Sequence, residues 1–183
     1  MSLWTRIANA IIERAKRTPY INLDGYMKRW WLLPYNRFGI AARVHQILRS
    51  DEDSHPHDHP WWYVTIILRG GYWECTIDEN REDELKAKWR GPGSILFRRA
   101  SHFHALALDT WGHTMIREYH HETMEFTKRY RSCWTLFITG PKRKDHDPNH
   151  SCWGFMVDGI KVPADVYLGD RYIATDYTKG GAR

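Results

Sequence analysis

A mainly β domain, an antiparallel sandwich or barrel preceded by a helix, is the fold this sequence predicts. Three observations predict it. From Tyr26 onward, short runs rich in aromatic and β-branched residues recur with turn signals about every ten residues. The first seventeen residues carry helical rather than strand periodicity. Five of the eleven histidines fall in two short clusters, His55-Pro56-His57-Asp58-His59 and His102-Phe103-His104. In a strand, residues two apart share a face. His57 and His59 can therefore aim at one point, provided Asp58 faces away. His104 or His102 can close the site from a neighbouring strand.

Taken in order, Ser2 to Arg17 reads as an amphipathic helix with Ser2 as its N-cap. Leu3, Ile7, Ala10, Ile11 and Ala15 form its apolar stripe, and Thr18-Pro19 ends it. The stripe is small for membrane binding, so packing on the barrel is expected. Met27 to Leu33 and Ile40 to Ile47 read as strands around a Pro34–Gly39 turn. Trp61 to Leu68 and Tyr72 to Ile77 flank the Gly70-Gly71 turn. The charged stretch from Asp78 to Lys88 reads as a hairpin loop, and Trp89 to Gly93 as a turn. Ser94 to Arg98 is a strand leading to the second histidine cluster. Ala105 to Leu108 is expected to pair with Met115 to Tyr119, and Glu118 to Arg131 reads as a helix or a long hairpin. Trp134 to Thr139 is a strand ended by Gly140-Pro141, and Trp153 to Val157 is another. Lys142-Arg143-Lys144 reads as a solvated turn. The expected division is a helix and linker over 1–25, a barrel over 26–168 with an insertion near 109–131, and a tail over 169–183.

The chain has 183 residues, enough for one domain with a sizeable core. Ten Trp and ten Tyr either fill that core or line a pocket. The net charge of +5 is compatible with an anionic ligand, but the basic residues are scattered and show no stripe that would read nucleic acid. Cys75, Cys133 and Cys152 are odd in number and carry no CxxC, so buried thiols in a reducing compartment are expected. No run reaches the eighteen apolar residues of a membrane span, and the N-terminus lacks a continuous apolar signal segment, so the expected location is the cytoplasm.

The two histidine clusters resemble the two motifs of the cupins. His57-Asp58-His59 is followed by Pro60-Trp61-Trp62, Tyr63 and six residues to Gly70, so Tyr63 stands at the position of the cupin Glu, while Glu52 stands where the leading glycine belongs. Pro92-Gly93-Ser94-Ile95-Leu96-Phe97-Arg98-Arg99-Ala100-Ser101-His102-Phe103-His104 matches the second motif in length and puts His104 on its ligand position, with Arg99 and Ser101 replacing its second Pro and its Gly. The match covers roughly 50–105. Longer strings, from Tyr26-Met27-Lys28-Arg29-Trp30-Trp31 to Leu136-Phe137-Ile138-Thr139-Gly140-Pro141, also resemble cupin-like proteins of tailed phages and prophages. In that case the expected location is the cytoplasm of a bacterial host.

The resemblance implies a single cupin-type double-stranded β-helix, a jelly-roll barrel, with an N-terminal amphipathic helix. It implies one divalent transition metal on His57, His59 and His104, with His55 and His102 as substitutes in a shifted register. An all-histidine triad without Glu resembles the iron dioxygenases among cupins, which favours Fe(II) and leaves Zn, Ni, Mn and Cu open. Tyr63 and Arg99 are the catalytic candidates: a phenol that meets a metal-bound water or substrate oxygen, and a guanidinium for an anionic group. Trp61, Arg98, Trp73 and Phe103 are the substrate-binding candidates. The expected partner is a small, plausibly anionic molecule, with a homodimer compatible with the family and no membrane. Two functions follow: a metal-dependent oxygenase, or a protein that sequesters a metabolite or nucleotide on the same scaffold without catalysis. A nucleic-acid or virion-associated role ranks behind both.

Overall fold

The computed structural model describes residues 1–51, 55–78, 81–116, 125–143 and 149–169. Helix α1 spans Leu3–Ala15, and the Ser2 hydroxyl accepts the Thr5 N–H at 3.1 Å, as an N-cap should. Its packed face differs from the expected stripe. Ala8, Ile12 and Ala15 are buried, with Trp4 and Ile11 beside them, whereas Leu3 and Ile7 are exposed. Trp4 decides the rotation: its ring packs with this cluster, and its indole N–H donates to Leu68 O at 3.2 Å.

Strands β1 (Met27–Leu33) and β2 (Ala41–Ile47) form the hairpin expected from their flanking turn. Asn36 holds that turn by accepting the Phe38 and Ile40 N–H groups on its side-chain oxygen. β3 (Trp61–Arg69) and β4 (Tyr72–Asp78) follow. β5 (Arg81–Arg90) replaces the expected charged loop. Among the described residues it pairs with β4 alone, and residues 85–89 lie exposed, so Lys86 and Lys88 keep their charges in water. β6 is Ile95–Arg98 and β7 is His104–Ala107. β7 pairs with β4, not with the segment after residue 115. β8 (Thr110–Ile116) pairs instead with β9 (Glu125–Tyr130), so the described part of the ambiguous stretch is strand, and 117–124 lie outside the described residues. β10 (Cys133–Lys142) runs through Gly140-Pro141 instead of ending there. The Trp62 indole lies where a Cβ on Gly140 would stand, 2.0 Å from its nearest atom, so only glycine lets the strand continue beneath it. β11 (Gly154–Val157), β12 (Ile160–Pro163) and the short helix α2 (Ala164–Leu168) complete the described chain.

One sheet has the order β1-β2-β10-β3-β6, and the other β5-β4-β7. Their inner faces meet through Ile47, Ile67 and Leu96 on one side and Tyr72 and Leu108 on the other. The outer face of the five-stranded sheet is covered by α1, which packs on Ala42, Val44, Leu68, Trp134 and Leu136. Both faces of β2 and β10 are therefore buried, which explains their near-continuous apolar runs. The fold is mainly β, two antiparallel sheets packed face to face, with an N-terminal helix on the outside of the larger one. Among the described residues no helix is long and apolar enough to cross a membrane.

Candidate metal centre

The two histidine clusters meet through the backbone. His57 N–H donates to His104 O at 2.8 Å, and His104 N–H to His57 O at 3.0 Å, an isolated antiparallel bridge. Alternation then does what the sequence required of Asp58. Its fully buried carboxylate points away from the histidines and accepts Gly154 N–H at 2.7 Å, Arg143 Nη2 at 2.8 Å and Lys161 Nζ at 2.7 Å. Arg143 is thus part of a buried ion cluster rather than the solvated turn expected of it, while Lys144 lies outside the described residues.

On the other side of the strand, His57, His59 and His104 converge. One nitrogen of each lies within 4.8 Å of the others. His59 Nε2 and His104 Nε2 are 3.1 Å apart. Two nitrogens each about 2.1 Å from a metal stand about 3.0–3.4 Å apart for angles from 90° to tetrahedral, so the His59–His104 pair is spaced for a divalent transition metal, with a His57 nitrogen within 4.8 Å of both. Burial, then the neighbouring His57 and His104 rings, hold His59 well below the ordinary histidine value. It is therefore neutral, the form that ligates.

Around the triad stand groups that aim it. The Asp51 carboxylate lies 3.9 Å from His57 Nδ1 and is itself fixed by Leu106 N–H at 2.7 Å and by the Tyr26 hydroxyl. Glu74 lies 3.7 Å from His104 Nδ1, too far for a direct hydrogen bond. Arg98 grips Glu74 with both ends of its fork, Nε to Oε1 at 2.9 Å and Nη2 to Oε2 at 2.6 Å, and Arg90 Nε adds a bond at 2.8 Å. Burial pushes the Glu74 carboxyl up, but His102, His104 and Arg98 pull it far below the usual carboxylate range. The Tyr63 hydroxyl stands 3.2 Å from His104 Nε2. Burial, then Tyr72 and Glu74, push this phenol well above its ordinary value, so it keeps its proton.

Beside the triad lies a cavity of about 190 Å³ walled by Trp61, Phe137, Trp153, Tyr72 and Leu106, with Arg29, Arg43 and His45 on the β1–β2 side. Of the residues proposed from sequence, His57, His59, His104, Tyr63 and Trp61 come together here. Others do not. Arg98 is committed to Glu74, and Arg99 is exposed in the turn after β6. Trp73 alternates outward from Tyr72 and Glu74, is 41% exposed, and packs on Trp89. Phe103 is half-buried and does not line the cavity. His55 is bound to the Tyr167 hydroxyl at 2.8 Å, and His102 lies 3.8 Å from Glu74, so neither joins the triad. Glu74, Arg43 and His45 are the cavity-side residues that sequence reasoning passed over.

No family model matches the sequence, and no curated protein matches it significantly. Solved structures show a partial likeness to it. The DMSP lyase DddQ from Ruegeria pomeroyi is 16% identical over 80% of this chain and 68% of its own, with a TM-score of 0.49. The hydroxypropylphosphonic acid epoxidase from S. wedmorenis is 15% identical over 68% of this chain and 56% of its own, with a TM-score of 0.45. A cupin superfamily protein from Desulfitobacterium hafniense is 12% identical over 67% of this chain and 84% of its own, with a TM-score of 0.41. None of these likenesses carries a residue or an activity over to this chain.

Proposed function

We propose that this chain is a three-histidine metal protein whose activity is an Fe(II)-dependent oxygenase reaction on a small molecule. One observation carries the proposal: three imidazoles converge within 4.8 Å at the wall of an aromatic cavity. Three protein ligands leave coordination positions open, the pattern of catalytic rather than structural sites. When bound, Fe(II) would supply the one-electron chemistry that reactions with O2 need. The chain supplies the rest. Asp51 and Glu74 stand behind His57 and His104 at 3.9 and 3.7 Å, placed to hold the two rings electrostatically. Tyr63 holds a proton 3.2 Å from His104 Nε2, where it can donate to a substrate oxygen. Trp61, Phe137 and Trp153 exclude water and shape the space for an apolar body. A tailed-phage or prophage source, with the host cytoplasm as location, belongs to this reading through the longer sequence strings.

The aromatic cavity equally suits a second reading, a protein that holds a small molecule without turning it over. Elemental analysis separates the readings. Untagged protein purified without added metal is compared with the His57→Ala/His104→Ala variant. Near one iron per chain, absent from the variant, supports the oxygenase. Near one zinc redirects the chemistry to hydrolysis or isomerisation. No metal after reconstitution overturns the metal-dependent reading and leaves the binding protein.

A further inference from the structure

Arg43 is a charged side chain on the inner face of the barrel, and only 2% of it is exposed. Strand register explains how it came there. Trp31, Arg43, Phe137 and Thr65 lie side by side across β1, β2, β10 and β3. The guanidinium sits among aromatic rings, 5.2 Å from those of Trp31 and Trp61, 5.9 Å from Tyr20, and 6.0 Å from Tyr35 and Phe137. Rings stabilise a cation through its face. They leave its in-plane N–H groups unanswered. Nε and Nη2, which share one edge of the guanidinium, are themselves buried and have no hydrogen-bond partner among the described residues. Among the described residues no carboxylate pairs with Arg43, whereas the buried carboxylates Asp58 and Glu74 are each held by two cations.

A buried charge with two unanswered donors is costly unless a ligand completes it. Arg43 lines the same cavity as the histidine triad. We propose that Arg43 is the anchor for a small carboxylate substrate, receiving the carboxylate in bidentate fashion on its Nε/Nη2 edge while the apolar body reaches toward His57, His59 and His104. The planar fork matches a carboxylate better than a point charge would. His45 flanks Arg43 on β2 and stacks on Phe137 at 5.0 Å. Burial, then Arg43 and Arg29, hold its pKa well below the ordinary value, so the positive charge of this wall resides on guanidinium groups. The assignment names the substrate class for the metal-dependent reading and rests on it only for the reaction, not for the binding.

The test uses benzoate and benzamide, a pair similar in shape but not in charge. Each is titrated into metal-loaded and chelator-stripped protein, followed by calorimetry and by intrinsic tryptophan fluorescence, to which Trp31 and Trp61 contribute. Benzoate is expected to bind saturably in both forms, about tenfold or more tighter than benzamide. Arg43→Lys keeps a cation in the cage and should weaken benzoate about tenfold, and Arg43→Met should weaken it further. Equal binding of the two probes, benzoate binding unchanged in Arg43→Lys, or binding that vanishes when the metal is stripped would each overturn the assignment. The benzoate–benzamide contrast in the unmutated protein stands even if Arg43→Met does not fold. Benzoate held through Arg43 in a protein that takes up no metal would support the site and overturn the metal-dependent reading alone.

Discussion

Asp58 Oδ2 meets Arg143 Nη2 at 2.8 Å on the opposite side of the strand from the histidine triad. The pair joins the first histidine motif to the end of β10, while the other oxygen of Asp58 accepts Gly154 N–H at the start of β11. Asp58 therefore locks the alternation that sends His57 and His59 to the same side.

Removing the carboxylate charge leaves Arg143 and Lys161 facing a neutral group. Breaking a buried pair from one side costs about 3–5 kcal/mol, discounted here because Lys161 is partly exposed. Asp58→Asn is expected to lose about 2–3 kcal/mol in urea unfolding. Its metal content per folded chain should also fall, although no ligand has changed. Unaltered metal affinity in Asp58→Asn would show that the strand holds its histidines without this anchor.

Glu74 makes a different demand. It contributes no ligand atom to the triad, yet it lies behind His104 and is gripped by Arg90 and Arg98. Loss of a carboxylate behind a ligating histidine costs about 10–100-fold in metal affinity. Glu74→Gln should show that loss in a chelator competition. Arg98→Ala, which frees one side of Glu74, should give a smaller change of the same sign.

The barrel and the triad were legible because both rest on period two. His57, His59 and Tyr63 keep that parity through Pro60, and the wide spacing to His104 is closed by a single backbone bridge. Arg43 was not legible. The ring packed over it on the neighbouring strand, Phe137, is ninety-four positions further along the chain, and nothing local marks their meeting. Glu74 left a usable signal: it is an acidic residue between Trp73 and Cys75, on the same strand face as Tyr72. The strand character of 81–90 was hidden by its charge, which outweighed the alternation of Leu85, Ala87 and Trp89 with Lys86, Lys88 and Arg90. The helix stripe was misjudged by taking Leu3 and Ile7 over Trp4 and Ala8, two stripes that differ by one position.

The rotation of α1 is testable by paired truncations. Ile12 is 2% exposed against the outer face of the sheet, whereas Ile7 is 45% exposed. Ile12→Ala should cost about 2–5 kcal/mol through lost burial and a cavity. Ile7→Ala should stay within about 0.5 kcal/mol. Equal costs in denaturant unfolding would place the helix on its other stripe.

Cys133 gives a pH dependence distant from the metal centre. It is fully buried beside Ile47 and Ile67, and burial pushes its thiol from the ordinary 9.0 up to about 12. The folded state therefore keeps this proton at pH values where the unfolded chain releases it. Where the unfolded chain binds fewer protons, stability falls as pH rises. The Cys133 contribution is fully present below about pH 9 and declines through the window up to about 12. At pH 8, a thiol reagent should leave Cys133 unmodified until the protein unfolds. Cys133→Ala should flatten the alkaline fall in stability between pH 9 and 11 relative to the unmutated chain, measured by urea midpoints at each pH. A fall of identical steepness in both would assign it to other buried acids, foremost Tyr72, whose hydroxyl is also raised by burial and by Glu74.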